Sequence, residues 1–209
     1  MKRLEHKNEV RQRVISVSRE LFLKKGYAKT TINEITKKAE ITTGSLYHFF
    51  NGKEDILRHI SQEVFNGAAA MADVMLGEEA DPWQRLALEI GIQFYYMLKH
   101  KPIAELYLVA HESSEIARAI ADSAQSRNQK IFQTSLPDLA AEDYYAMSLA
   151  VKGIIHSFIQ ELISKKQNAS PALIFRAIEM ALVIFQIPKD KLATTLQATH
   201  DLIQKSRLV

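Results

Sequence analysis

The chain has 209 residues, 47% hydrophobic and 24% charged, and contains no cysteine. That length can bury one large core or two modest ones, and the composition is ordinary for a globular protein. The missing cysteines exclude disulfides, thiolate metal sites and cysteine nucleophiles, which fits a reducing cytoplasm. The net charge of +3 divides unevenly: residues 1–58 hold 13 Lys/Arg against 7 Asp/Glu, and residues 59–209 hold 14 against 17. A basic first quarter on an acidic remainder predicts a polyanion bound at one end. The charged start, Met1 to His6, lacks the apolar core of a signal peptide. The most apolar stretch, Ala177–Ile187, is about half the roughly 20 residues that span a bilayer. A soluble, cytoplasmic protein with no membrane partner is expected.

Helical periodicity and helix punctuation run through the whole chain. Val10, Val14, Val17, Leu21 and Phe22 mark one stripe of a first helix that ends at Gly26 after Lys24 and Lys25, a cationic last turn with a glycine cap. Thr31-Ile32-Asn33-Glu34 is a capping box opening a short second helix. A third runs from about Thr42 to Phe49, and a fourth from near Lys53 to Leu76. Asp81-Pro82 caps and starts a helix to about His100; its apolar residues point nearly all round, the mark of a buried helix. Further helices are predicted from Pro102 to His111, from Ser113-Ser114 to about Leu136, from Ala141 to Lys166, from Ser170-Pro171 to Ile187, and from Pro188 to Lys205. No strand-like alternation of useful length, repeat or Gly/Ser-rich linker is present. The expected fold is all-α, with nine or ten helices: a three-helix domain over residues 1–58, the polyanion-binding end, and a larger helical domain over 59–209.

The segment from Thr31 to Phe50 carries the strongest signal. Ile35 and Ala39 face inward on one short helix and Leu46 on the next, with Ile41 plugging the turn at Glu40-Ile41. That spacing makes a helix-turn-helix whose second helix is free to enter a major groove. The run Thr42-Thr43-Gly44-Ser45-Leu46-Tyr47-His48-Phe49-Phe50, followed by Lys53-Glu54-Asp55-Ile56-Leu57, resembles the TetR family of bacterial transcriptional regulators. Leu21-Phe22, Gly26-Tyr27 and Thr30-Thr31-Ile32 extend the resemblance over about residues 8–60. One departure is Glu40, where the family has glycine at a turn position that tends to need positive φ; a side chain there costs roughly 1 kcal/mol.

The resemblance implies DNA contacts. Thr42 and Thr43 either cap the third helix or reach phosphate and base edges. Gly44 allows close approach to the backbone, and Ser45 lies in the same opening turn. Tyr47 matches a phosphate-contacting tyrosine, the other reading being packing on the first helix. His48 either reads a guanine or phosphate or is plain surface. Phe49 and Phe50 belong to the core. Lys53, a cation at a helix start where the dipole disfavours it, is expected on a phosphate. Thr31 places its helix N-terminus towards another, while Lys2, Arg3 and Lys29 add general attraction.

The second domain has no comparable motif. The resemblance implies a homodimer joined through the 141–166 and 170–187 helices, the latter apolar on several faces (Leu173, Phe175, Ile178, Leu182, Phe185). It also implies an effector cavity among the 81–166 helices, with Gln93, Phe94, Met97, Tyr107, His111 and His156 as candidates. A hydrophobic or aromatic molecule is expected, carrying one anionic or hydrogen-bonding group near His111 or His156, in a cavity of about 300 Å³ or more. Ser148, Lys152, His156 and Gln160 repeat at four-residue spacing and either form a solvated edge, join the dimer seam or line the pocket. No cofactor or metal is expected. The chain has no Glu-x-x-His pair, Gly-rich phosphate loop, Gly-x-Ser-x-Gly or His-Glu-x-x-His, which argues against an enzyme. The expected function is a ligand-responsive repressor bound to a palindromic double-stranded DNA operator, or an effector-independent regulator of the same fold.

Overall fold

The computed structural model describes residues 2–77, 80–164 and 171–206. Ten helices make up the described residues: α1 Lys2–Lys25, α2 Ile32–Lys38, α3 Thr43–Phe49, α4 Lys53–Leu76, α5 Pro82–Lys99, α6 Lys101–Glu112, α7 Ser114–Phe132, α8 Ala141–Ser164, α9 Pro171–Ile184 and α10 Lys189–Lys205. The expected helix end at Lys166 and the cap at Ser170 lie outside the described residues, as do the side chains of Lys2 and Arg3.

The caps follow the sequence. Thr31 accepts from the Glu34 backbone N–H while the Glu34 carboxylate accepts from the Thr31 N–H, closing the capping box. Asp81 and Ser113 cap α5 and α7 through their side-chain oxygens. α7 stops at Phe132, short of Leu136. The Ser135 and Leu136 N–H groups both fold back onto the Phe132 carbonyl, and the residue before Pro137 is disfavoured in helical geometry.

Two cores share a border. One gathers Val14, Ile15 and Phe22 of α1, Ile35 and Leu46 of the short helices, and Ile56, Leu57 and Ile60 of α4. This core also takes in Leu106 and Ala110 of α6 and Ile116 and Ile120 of α7, so the first sixty residues rest on apolar side chains of the second domain. α4 runs unbroken through residue 58. The other core is built round α5, twelve of whose eighteen residues are buried. Trp83 Nε1 donates to the Phe185 carbonyl at 2.6 Å, tying α5 to the turn that follows α9. Gly91 lets α10 lie close, since a Cβ there would meet Ile203 Cδ1 at 2.4 Å. α8 is the one helix among the described residues long and apolar enough to cross a membrane by length and composition; it packs on α5, α6, α7 and α9.

Candidate nucleic-acid interface and effector cavity

α2 ends in a Schellman turn. Glu40 adopts φ +54°, its N–H reaches the Lys37 carbonyl, and the Ile41 N–H donates to the Thr36 carbonyl at 3.1 Å. The left-handed residue turns the chain sharply into α3, and Ile41 packs under it. Thr42 takes the N-cap, accepting the Ser45 N–H at 3.1 Å, which leaves Thr43 one position inside the helix. Leu46 and Phe50 are fully buried and anchor α3 against α1 and α4. The opposite face carries Thr43, Gly44, Tyr47 and His48, all exposed; Tyr47 is 55% exposed, which removes the packing alternative. Ser45 is half-buried at its edge. A Cβ on Gly44 would meet nothing closer than Thr42 Oγ1 at 4.0 Å, so no neighbour within the protein requires glycine there.

Lys53 does more inside the fold than the sequence suggested. Its Nζ donates to the carbonyls of Tyr27 at 2.7 Å and Thr30 at 2.9 Å and lies 4.2 Å from the centre of the Tyr27 ring. Burial lowers its pKa. The ammonium therefore tethers the start of α4 to the turn that precedes α2, with one proton left over for a partner outside. Thr31 is likewise engaged by Glu34, whose carboxyl is drawn down to about 2, chiefly by its hydrogen bond with Lys25.

The second site is a cavity of about 80 Å³ lined by α4, α5, α6, α7 and α8. It is smaller than the 300 Å³ expected of it. A wider groove of about 420 Å³ adjoins it between α1, α4, α5 and α6, and Ile60, Gln93, Met97 and Leu106 are common to both walls. Of the candidate ligand residues, Gln93, Met97, Tyr107 and His111 line the cavity. Phe94 does not; it is buried in the core and faces a separate small void beside Ile159 and Leu162. His156 lies behind His111, their rings stacked 5.3 Å apart, and is not part of the lining.

Four more polar residues line it: Ser148 and Lys152, which the four-residue stripe had offered as pocket lining, and Glu89 and Asn128, which the sequence did not single out. Ser148, expected on a stripe with Gln160, is buried and accepts from Asn128 Nδ2 at 2.9 Å, whereas Gln160 is exposed. Glu89 is 3% exposed and ion-pairs with Arg127, whose own pKa is drawn down to about 10, mainly by burial. The available signal was one carboxylate in the otherwise apolar run of α5. His111 Nδ1 lies 2.9 Å from the Tyr107 carbonyl; burial lowers the imidazole pKa to about 4 and pushes the Tyr107 phenol up. Among the described residues no three His, Asp or Glu side chains gather as a metal site.

On the outer face of α8 and α9, Leu149, Met180 and Val183 are exposed, 43%, 49% and 59% respectively. Ile178, Leu182 and Phe185, expected at a dimer seam, are instead fully buried in the protomer's own core.

Residues 14–60 match the family of bacterial regulatory proteins, tetR family. The chain is 30% identical to the HTH-type transcriptional regulator YerO of Bacillus subtilis over 166 residues, covering 75% of this chain and 57% of YerO. It is 39% identical to the HTH-type transcriptional regulator QacR of Staphylococcus aureus over 51 residues, covering 24% and 27%. The chain thus spans about half of one curated relative and a quarter of the other. Among solved structures, RolR in complex with resorcinol superposes with a TM-score of 0.69 at 16% identity, covering 92% of this chain and 95% of RolR. SmeT, the repressor of the Stenotrophomonas maltophilia multidrug efflux pump SmeDEF, gives 0.57 at 18% identity, covering 83% and 88%. At these identities the structures establish the shared fold.

Proposed function

Because this chain belongs to the tetR family of bacterial regulatory proteins, we propose that it is a ligand-responsive repressor that binds a palindromic operator as a homodimer in the cytoplasm. The α3 helices of two protomers enter successive major grooves, about 34–36 Å apart. Tyr47 and the spare proton of Lys53 take phosphates, Thr42, Thr43 and Ser45 take phosphate or base edges, and His48 reads a base. The α8 and α9 faces bearing Leu149, Met180 and Val183 pair the protomers.

The observation that carries the ligand response is a shared wall. Ile60, Leu106, Ala110 and Ile120 line the cavity and also pack beneath the helix-turn-helix. A molecule lodged there shifts α4 and α6 against α1, changes the spacing of the α3 helices and lowers operator affinity. A coupling of about 1–3 kcal/mol would weaken binding some 5- to 150-fold. The solved complex of RolR with resorcinol supports an aromatic effector of modest size.

The small cavity volume favours a second reading, an effector-independent regulator of the same fold. A thermal-shift screen with aromatic and lipophilic compounds separates the two, followed by operator binding with each hit. A compound that raises the melting temperature and releases operator supports the repressor. Operator binding with no stabilising compound supports the second reading.

A further inference from the structure

The His111 ring is satisfied on one side only. Nδ1 lies 2.9 Å from the carbonyl oxygen of Tyr107, one helical turn back. A carbonyl can only accept, so Nδ1 carries the ring proton. Nε2 is buried and has no hydrogen-bond partner. Burial keeps the ring neutral near pH 7, so Nε2 presents a bare lone pair, and His111 is part of the cavity lining. A buried acceptor without a donor is a costly state that an incoming O–H or N–H relieves.

The remaining lining restricts the donor further. The Glu89 carboxylate is a second acceptor-only group on the same wall, its Oε1 3.4 Å from Gln93 Nε2. Arg127 neutralises Glu89 from one side, but neither the carboxylate nor His111 Nε2 has a proton to donate to an anion. Lys152 offers a positive charge, but it is only half-buried, so water screens it. The cavity, at about 80 Å³, is smaller than the roughly 150 Å³ apolar cavity that holds benzene. A single ring therefore enters only if a lining side chain gives way, and anything larger needs several to do so. Met97, unbranched and shared with the neighbouring groove, is the side chain suited to yield.

We propose that the effector is a small uncharged hydroxyl compound, one ring in size, whose O–H donates to His111 Nε2. This rests on the ligand-responsive reading above, and of the two kinds of group expected near His111 or His156, anionic or hydrogen-bonding, it selects the hydrogen-bonding one.

The test is calorimetric titration of the full-length protein with phenol, anisole, toluene and benzoate, repeated on His111→Phe. Nitrogen NMR of the histidine rings accompanies it. Phenol is expected to bind at least ten-fold more tightly than the other three, and His111→Phe to bring the phenol-to-toluene and phenol-to-anisole affinity ratios to about one. The ring of His111 should show protonated Nδ1, with the Nε2 resonance moving when phenol is added. Anisole or benzoate binding as tightly as phenol, or a proton on Nε2, overturns the proposal. If that compound still releases operator, the ligand-responsive reading stands. Binding by none of the four also overturns the proposal, whereas the effector reading falls only if the wider compound screen is empty too. Should His111→Phe fail to fold, the phenol-to-anisole ratio and the nitrogen spectrum of the unmodified protein decide.

Discussion

The ammonium of Lys53 lies 2.7 Å from the carbonyl oxygen of Tyr27 and 4.2 Å from the centre of its ring. A cation at the start of a helix opposes the dipole, and its position is explained first by this tether and its companion bond to Thr30. Lys53→Met keeps the alkyl stem and removes both bonds. Hydrogen bonds to charged groups contribute about 1.5–3 kcal/mol each, and partial exposure brings the expected combined loss to about 2 kcal/mol in urea denaturation. The proposed phosphate contact adds a separate signature: the salt slope of DNA binding should fall by about 0.9 per protomer. A stable variant with an unchanged slope would assign Lys53 to neither role.

Gly44 gives a sharper separation of folding from binding. No neighbour blocks a Cβ there, and glycine inside a helix is destabilising relative to alanine. Gly44→Ala should therefore raise stability by about 0.5–1 kcal/mol. If the glycine serves close approach to the phosphate backbone, the same variant binds operator more weakly. Chemical denaturation and fluorescence anisotropy on one preparation check both signs.

The dimer prediction depends on which face of α9 is free. Leu182 and Phe185 are completely buried within the protomer, so glutamate at either position should unfold the chain. Val183 and Met180 project outward. Val183→Glu or Met180→Glu should leave the helical circular dichroism intact and yield monomers in sedimentation at micromolar concentration. Operator affinity should fall with the dimer. A dimer that survives both charges lies elsewhere on the surface.

Acid stability should report on His111. Its pKa is lowered from 6.5 to about 4, chiefly by burial. Between those values the unfolded chain binds a proton that the folded chain refuses, so stability declines as pH falls through that window and levels off below about 4. The whole effect is at most about 3 kcal/mol. His111→Phe should flatten the profile between pH 6.5 and 4, measured by denaturation at each pH.

The fold was legible because its determinants are local. Thr31 with Glu34, Asp81 before Pro82, Ser113 and Gly26 each mark a helix end without reference to the rest of the chain. Glu40 was readable too, through the resemblance: the family has glycine at this turn position, which implied a left-handed residue, and φ +54° places one there. The matching turn after α9, where Gln186 adopts φ +52°, passed unnoticed because no motif surrounds it. The cavity was less legible for a physical reason. Phe94 and Met97 are three residues apart on one buried helix, and only the rotation of α5 against its neighbours decides which faces the cavity. Glu89, Asn128 and Lys152 come from three different helices, and no periodicity in a single segment predicts that they converge. Likewise α9 is apolar on several sides, and composition alone did not separate Val183, which is exposed, from Leu182, which is core.

The most direct test is selection of DNA fragments by the purified full-length protein from a random pool, followed by titration of the winner against salt. A palindrome is expected whose half-site centres lie one helical turn apart, about 10 base pairs, with affinity falling steeply as salt rises. His48→Ala should cost about 1–3 kcal/mol on that operator and relax the choice at one base pair per half-site. A pool with no shared sequence after selection, or a selected site bound equally well by His48→Ala and without salt dependence, would contradict operator recognition by α3.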